Sequence, residues 1–244
     1  LIINSLDKKI LCILPAFNEE NKIGNVVRRI LDTGIINQII VVNDGSTDNT
    51  YNEALSAGAY VINNRINLGV GSAIQKGIQY GVKNNFDIGV IMGGDGQHES
   101  KELESIIAPL IYDNAQFVQG SRYTKGGSTI NPPFFRDLLT RIYSIMFTFF
   151  SGNIVTDGSN GFRSFYFSIF KEYEINLNKL WLNSYQLEPY FLYKVTVMKN
   201  IKVVEVPITI YYQDNVHEYS KMRPIYDWWK LLKPLIFLRI GIWR

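Results

Sequence analysis

Four short runs rich in β-branched residues, at 10–14, 39–42, 60–62 and 88–92, alternate with segments at 20–31, 47–57 and 70–83 whose apolar residues recur at helical spacing. An apolar run with no polar alternation belongs in a strand covered on both faces, and strands that alternate with helices build a parallel, doubly wound sheet. Such sheets bind ligands outside the carboxyl ends of their strands. Here each run gives way at once to polar or glycine-rich residues, so function is expected at those turns. Beyond Gly120 the pattern changes: 134–150 and 186–197 read as helices, and 201–211 reads as a strand that ends the fold.

With 244 residues, 46% of them hydrophobic and 19% charged, the chain can bury one substantial core and is not disordered. The single Cys12 lies inside an apolar run, which excludes a disulfide framework or a cysteine-rich metal site and suits a reducing compartment. Residues 1–10 carry Asp7, Lys8 and Lys9 and lack the pattern of a signal peptide. The longest apolar stretches, around 145–150 and 235–238, fall short of the roughly 20 residues needed to span a bilayer. Charge is uneven. Residues 1–121 hold 9 Lys and Arg against 13 Asp and Glu, a net of −4, whereas residues 122–244 hold 16 against 9, a net of +7. A basic, aromatic second half suits an anionic membrane or a phosphorylated substrate, and no nucleic-acid motif accompanies it.

Three turns carry groups with chemistry. Pro15-Ala16-Phe17-Asn18-Glu19 and Asn43-Asp44-Gly45-Ser46-Thr47-Asp48 follow the first two strands and can either cap helices or meet a ligand. Gly93-Gly94-Asp95-Gly96-Gln97-His98 crowds a carboxylate, an amide oxygen and a histidine into a glycine-rich turn. Hard oxygen ligands of this kind suit Mg²⁺ or Mn²⁺ held together with a substrate diphosphate. Arg136 and Thr140, four apart on one helix, project from the same face, where they can clamp a phosphate or, for Arg136, pair with Asp137. For His98 and His217 a solvated or capping role is expected rather than that of a base.

Taken in order, Pro-x-Phe-Asn-Glu, Asn-Asp-Gly-Ser-x-Asp-x-Thr, Asn-Leu-Gly-x-Gly-Ser-Ala and Gly-Asp-Gly-Gln-His resemble glycosyltransferase family two over about residues 10–223. Within it, Gly120-Ser121-Arg122-Tyr123 and Asp157-Gly158-Ser159-Asn160-Gly161-Phe162-Arg163 are similar to the dolichyl-phosphate mannose synthase branch. The resemblance implies an α/β fold of the GT-A type: a mixed, mainly parallel, Rossmann-like sheet flanked by helices. A catalytic domain would occupy 1–223, followed by an amphipathic, aromatic and basic segment at 224–244. It implies a donor site at Pro15, Phe17, Glu19, Asp44 and Gly71, with Asp95 and Gln97 on a divalent ion. Arg122, Arg136 and Thr140 would grip an acceptor phosphate, and Lys221 would neutralise the donor diphosphate. Inverting transfer of a hexosyl unit is implied, from GDP-mannose, UDP-glucose or a UDP-N-acetylhexosamine to dolichyl or undecaprenyl phosphate.

Two departures stand out. Position 93 is glycine where the family usually has the first aspartate of Asp-x-Asp, and His217-Glu218-Tyr219-Ser220-Lys221 keeps only the Ser and Lys of the branch's C-terminal motif, with Arg223 a candidate substitute for the missing arginine. Phe135, Leu138, Leu139, Ile142, Met146, Phe149 and Phe150 form one stripe on the 134–150 helix, with Asp137, Arg141, Ser144 and Thr148 opposite. The 224–244 segment mixes Trp228, Trp229, Phe237 and Trp243 with Lys230, Lys233, Arg239 and Arg244. Both suit the headgroup layer, hence a peripheral enzyme on the cytoplasmic side of a membrane. Two alternatives remain: transfer to a saccharide, with Asp157 as base instead of a structural residue, and a catalytically weak nucleotide-sugar binder motivated by Gly93.

Overall fold

The computed structural model describes residues 7–212 and 226–243. The first half runs β1 (Ile10–Ala16), α1 (Ile23–Leu31), β2 (Gln38–Asn43), α2 (Thr50–Ser56), β3 (Tyr60–Asn63), α3 (Val70–Lys83) and β4 (Ile88–Ile91). There follow α4 (Leu103–Tyr112), β5 (Phe117–Ser121), β6 (Ser128–Ile130), α5 (Phe134–Ser151), β7 (Arg163–Tyr166), α6 (Ile169–Glu172), α7 (Leu187–Val197), β8 (Val203–Pro207), β9 (Thr209–Tyr211) and α8 (Tyr226–Arg239). A seven-stranded sheet has the order β3-β2-β1-β4-β7-β5-β8, and β6 pairs with β9 in a small second sheet. Only β7 runs antiparallel in the large sheet, against β4 and β5, so the sheet is mixed and mainly parallel, as expected.

Alternate side chains of β1 enter two different cores. Cys12 and Leu14 pack with Val26, Val41 and Ile106 on one face, while Leu11 and Ile13 pack with Ile74, Phe165 and Phe191 on the other. Burial on both faces is why these strands show no polar alternation. Cys12 is a core residue, its thiol pKa pushed up by burial.

The strand expected over 201–211 is two strands. The Ile208 amide donates to the Ser121 carbonyl at the end of β5, and the Ile208 carbonyl accepts from the Ser128 amide of β6, so the chain changes partner at residue 208: β8 stays on β5 while β9 pairs with β6.

The polarity of α5 is the reverse of an ordinary surface helix. Thr140, Tyr143, Ser144, Phe147 and Ser151 face inward, whereas Phe134, Phe135, Ile145 and Phe149 are 70% or more exposed. Ser144, read from sequence as lying on the water side, is thus buried. The described part of the C-terminal segment packs on α5 and α7: Leu231 and Leu235 are buried, Tyr143 Oη donates to the Leu231 carbonyl at 3.2 Å, and Trp243 lies 3.7 Å from Trp181, ring to ring. Its apolar residues therefore serve the core first. No described helix is long and apolar enough to cross a membrane.

Candidate active site

The carboxyl ends of β1, β2 and β4 open into a cavity of about 680 Å³. Pro15, Phe17, Glu19 and Asp44 line one part of it; Asp95, Gln97 and His98 line another; Arg122, Arg136, Thr140 and Tyr212 line a third. Ser159, Asn160 and Gly161 complete the wall, with Glu188 and the start of α8.

Asp44 meets the cavity with its carboxylate engaged. It accepts from Asn64 Nδ2 at 2.7 Å and from the amides of Leu68 and Gly69 at 3.0 and 2.7 Å, so it shapes the loop leading into α3. Gly71 does not line the cavity. A Cβ there would fall 1.9 Å from the Leu182 carbonyl oxygen, so this glycine exists to let α3 dock against the 182–184 loop.

In the 93–98 turn, Asp95 Oδ1 accepts from the Gln97 amide at 3.0 Å. His98 is not a solvated or capping residue. It is buried against Phe162, its Nδ1 accepts from the Gly93 amide at 3.1 Å, and its Nε2 lies 3.2 Å from Asn160 Oδ1. Burial pushes its pKa down, and with Nδ1 accepting, the proton sits on Nε2 and is given to Asn160. His98 therefore ties the turn to the 157–163 loop. Sequence offered only that it follows Gln97.

No cluster of three or more acidic, histidine or cysteine side chains able to hold a metal ion occurs among the described residues. A Cβ on Gly93 would sit 3.0 Å from Asp95 Oδ1 and 3.2 Å from His98 Nδ1, so the turn is closed around the missing side chain. One carboxylate and one amide oxygen still fit a small hard cation that takes its remaining ligands from water and phosphates, as Mg²⁺ characteristically does.

The Arg122–Asp157 pair dominates the other wall. Asp157 is fully buried; Oδ2 accepts from the Arg122 amide and Nε at 3.1 and 2.7 Å, and Oδ1 accepts from Nη2 at 2.7 Å. Burial alone would lower the Arg122 pKa, but Asp157 outweighs it and raises it above the usual arginine range. Arg122 also donates to Ser159 Oγ and to Tyr212 Oη, and the Arg136 guanidinium lies 5.1 Å from the centre of the Tyr212 ring. The 156–157 segment is held from β8, where Glu205 accepts from the amides of Thr156 and Asp157. Thr140 reaches the cavity with its hydroxyl donating to backbone carbonyls of α5, and it pairs with Tyr123 Oη at 2.5 Å. Lys221, Arg223 and His217 lie outside the described residues.

The model of the family described as Glycosyl transferase family 2 matches residues 11–174. The chain is 30% identical to the UDP-N-acetylglucosamine–dolichyl-phosphate N-acetylglucosaminyltransferase of Methanococcus voltae, over 96% of this chain and 98% of that protein. It is 26% identical to the undecaprenyl-phosphate mannosyltransferase of Micrococcus luteus, over 82% and 83% of the two chains. Among solved structures it is similar to glucosyl-3-phosphoglycerate synthase from Mycobacterium tuberculosis, crystallised with Mn²⁺, UDP and phosphoglyceric acid. That match has a TM-score of 0.71 at 17% identity and covers 99% of this chain and 81% of the other.

Proposed function

The chain belongs to glycosyltransferase family 2, and from that membership we propose that it moves a hexosyl unit from a nucleotide-sugar to the phosphate of a dolichyl or undecaprenyl chain. GDP-mannose, UDP-glucose and UDP-N-acetylhexosamines are the donor candidates. One observation carries the assignment: Asp95 and Gln97 share a single cavity with Arg122, Arg136 and Thr140. Oxygens suited to a cation and a cationic grip suited to a phosphate thus face the same space. The lipid phosphates in the names of the Methanococcus and Micrococcus relatives support the same acceptor.

Asp95 and Gln97 would hold Mg²⁺ or Mn²⁺, which when bound neutralises charge growing on the departing diphosphate. Pro15, Phe17 and Glu19 would enclose the base and ribose, and Lys221 would add charge at the diphosphate. An acceptor phosphate is already anionic at neutral pH, so it needs orientation more than deprotonation. Arg136 supplies that orientation, held by Tyr212, which Arg122 fixes in turn. A saccharide acceptor would instead need a base, and Asp157 is unsuited to it: both its oxygens are committed to Arg122 and the side chain is fully buried.

We further propose that the enzyme works peripherally, at the cytoplasmic face of a membrane. The exposed apolar face of α5 and the half-exposed Trp229 support this, because an apolar patch of that extent on a water-facing surface needs a cover. The deciding experiment incubates the protein with radiolabelled nucleotide-sugars, Mn²⁺ and short polyprenyl phosphates and then extracts lipid. Cation-dependent label in the organic phase is expected; donor consumption with no labelled lipid overturns the acceptor assignment.

A further inference from the structure

Glu188, in the first turn of α7, lines the cavity with its side chain 21% exposed, and the transfer described above leaves it without a role. Its nearest charge is Arg163, but the approach of Nη2 to Oε1 is 3.6 Å, beyond hydrogen-bonding distance. Arg163 spends its donors on the backbone carbonyls of Asn160 and Glu188, and its Nε has no partner. The contrast with Arg122 and Asp157, closed at 2.7 Å in the same protein, argues against a simple counter-ion. No hydrogen-bond donor among the described residues reaches the Glu188 carboxylate. Burial raises its pKa against the opposing pull of the Arg163 charge. Such a group has room for several donors that a ligand would bring.

Its position says which part of a ligand. Ile91 of β4 stands opposite Arg163 of β7 in an antiparallel register, so Gly93 and Gly161, two residues beyond each, come together at the sheet edge. The His98–Asn160 contact confirms that approach. A Cβ on Gly161 would lie 2.7 Å from Glu188 Oε1, so the carboxylate sits directly over Gly161, beside the turn that carries Asp95. A diphosphate fastened at Asp95 and Gln97 has its sugar as the next group along.

We propose that Glu188 is the specificity carboxylate of the donor site, accepting hydrogen bonds from ring hydroxyls of the hexose while Gly161 keeps the space beneath it open. The proposal rests on the donor half of the function above and not on the acceptor.

The test is calorimetric titration of wild type and Glu188→Gln, with Mn²⁺, against UDP and GDP and against UDP-glucose, UDP-galactose, UDP-N-acetylglucosamine and GDP-mannose. Hydrogen bonds to an ionised carboxylate are about twice as strong as neutral ones. The variant should therefore hold the free nucleoside diphosphate within about two-fold of wild type, bind the preferred sugar nucleotide about ten-fold more weakly, and lose discrimination between the C4 epimers UDP-glucose and UDP-galactose. Parallel loss for nucleotide and sugar nucleotide, or no change in either, overturns the proposal. Should thermal melting show Glu188→Gln unfolded beside the buried Arg163, Glu188→Asp keeps the charge but withdraws the carboxylate by one methylene from the sugar, and must show the same split. Failure of the acceptor assignment looks different: wild type binds sugar nucleotides yet labels no lipid, and the comparison at Glu188 still reads out.

Discussion

Arg122 and Arg136, paired by sequence as two grips on one phosphate, do different work in the fold. Arg122 is buried and bound to an equally buried Asp157, so Arg122→Met leaves an uncompensated carboxylate in the core and is expected to cost about 3–5 kcal/mol in urea denaturation. Arg136→Ala should leave that stability within about 0.5 kcal/mol and instead raise the KM for polyprenyl phosphate, read by lipid-extraction assay. The separation of the two effects is the point of measuring both. Gly93 gives a second expectation at this scale. With a single carboxylate in the turn, Mn²⁺ should bind nucleotide-free protein only weakly and tightly once UDP or GDP is present. Titration followed by electron paramagnetic resonance of free Mn²⁺ checks this, and saturable micromolar binding without nucleotide contradicts it. The Gly93 departure was legible in the sequence, but the different work of the two arginines was not. Asp157 lies 35 positions from Arg122, and a carboxylate free to act as a base differs from one neutralised in a core only through contacts that the chain makes after folding.

Among elements, those with an uninterrupted apolar run or a clean helical period were legible, and β1, β2, β3, β4, α3 and α7 lie within a few residues of where the sequence puts them. β7 left no mark because its four residues include Arg163 and Ser164, whose polarity belongs to the site and not to a strand pattern. For α5 the period was right and the apolar stripe given to the headgroup layer is exposed, but Ser144 on the opposite side meets protein and not water: a helical period shows that a helix has two faces, whereas what each face meets depends on the neighbours. Ile145→Ser combined with Phe149→Ser, both on the outward face, should leave thermal stability unchanged and reduce sedimentation with anionic vesicles. Unaltered vesicle binding would remove α5 from the membrane contact. At α3, Gly71→Ala pushes a methyl into the Leu182 carbonyl and is expected to cost about 1–3 kcal/mol in denaturant unfolding, through the docking of the helix and not through the nucleotide.

At the scale of the whole molecule, a sheet edge collects residues from Pro15 to Leu231 into one chamber, and the part of the site that repeats strand by strand was the part readable in advance. The described part of the segment after residue 223 shares a core with the residues before it. Leu235 is fully buried, and Tyr143 is buried against Trp228. A chain ending at residue 223 is accordingly expected to lose its cooperative thermal transition; a sharp, unshifted one would show that α8 is dispensable to the core. The reversed polarity of α5 has a kinetic consequence as well. Arg136 and Thr140 look into the chamber from the same helix whose opposite side carries Phe135 and Ile142, so a protein lying on a bilayer by that side meets its acceptor by two-dimensional encounter. Velocity would then follow the mole fraction of acceptor in the lipid plane, falling when inert phospholipid is added at constant bulk acceptor, and tail length beyond the first isoprene units would cease to matter.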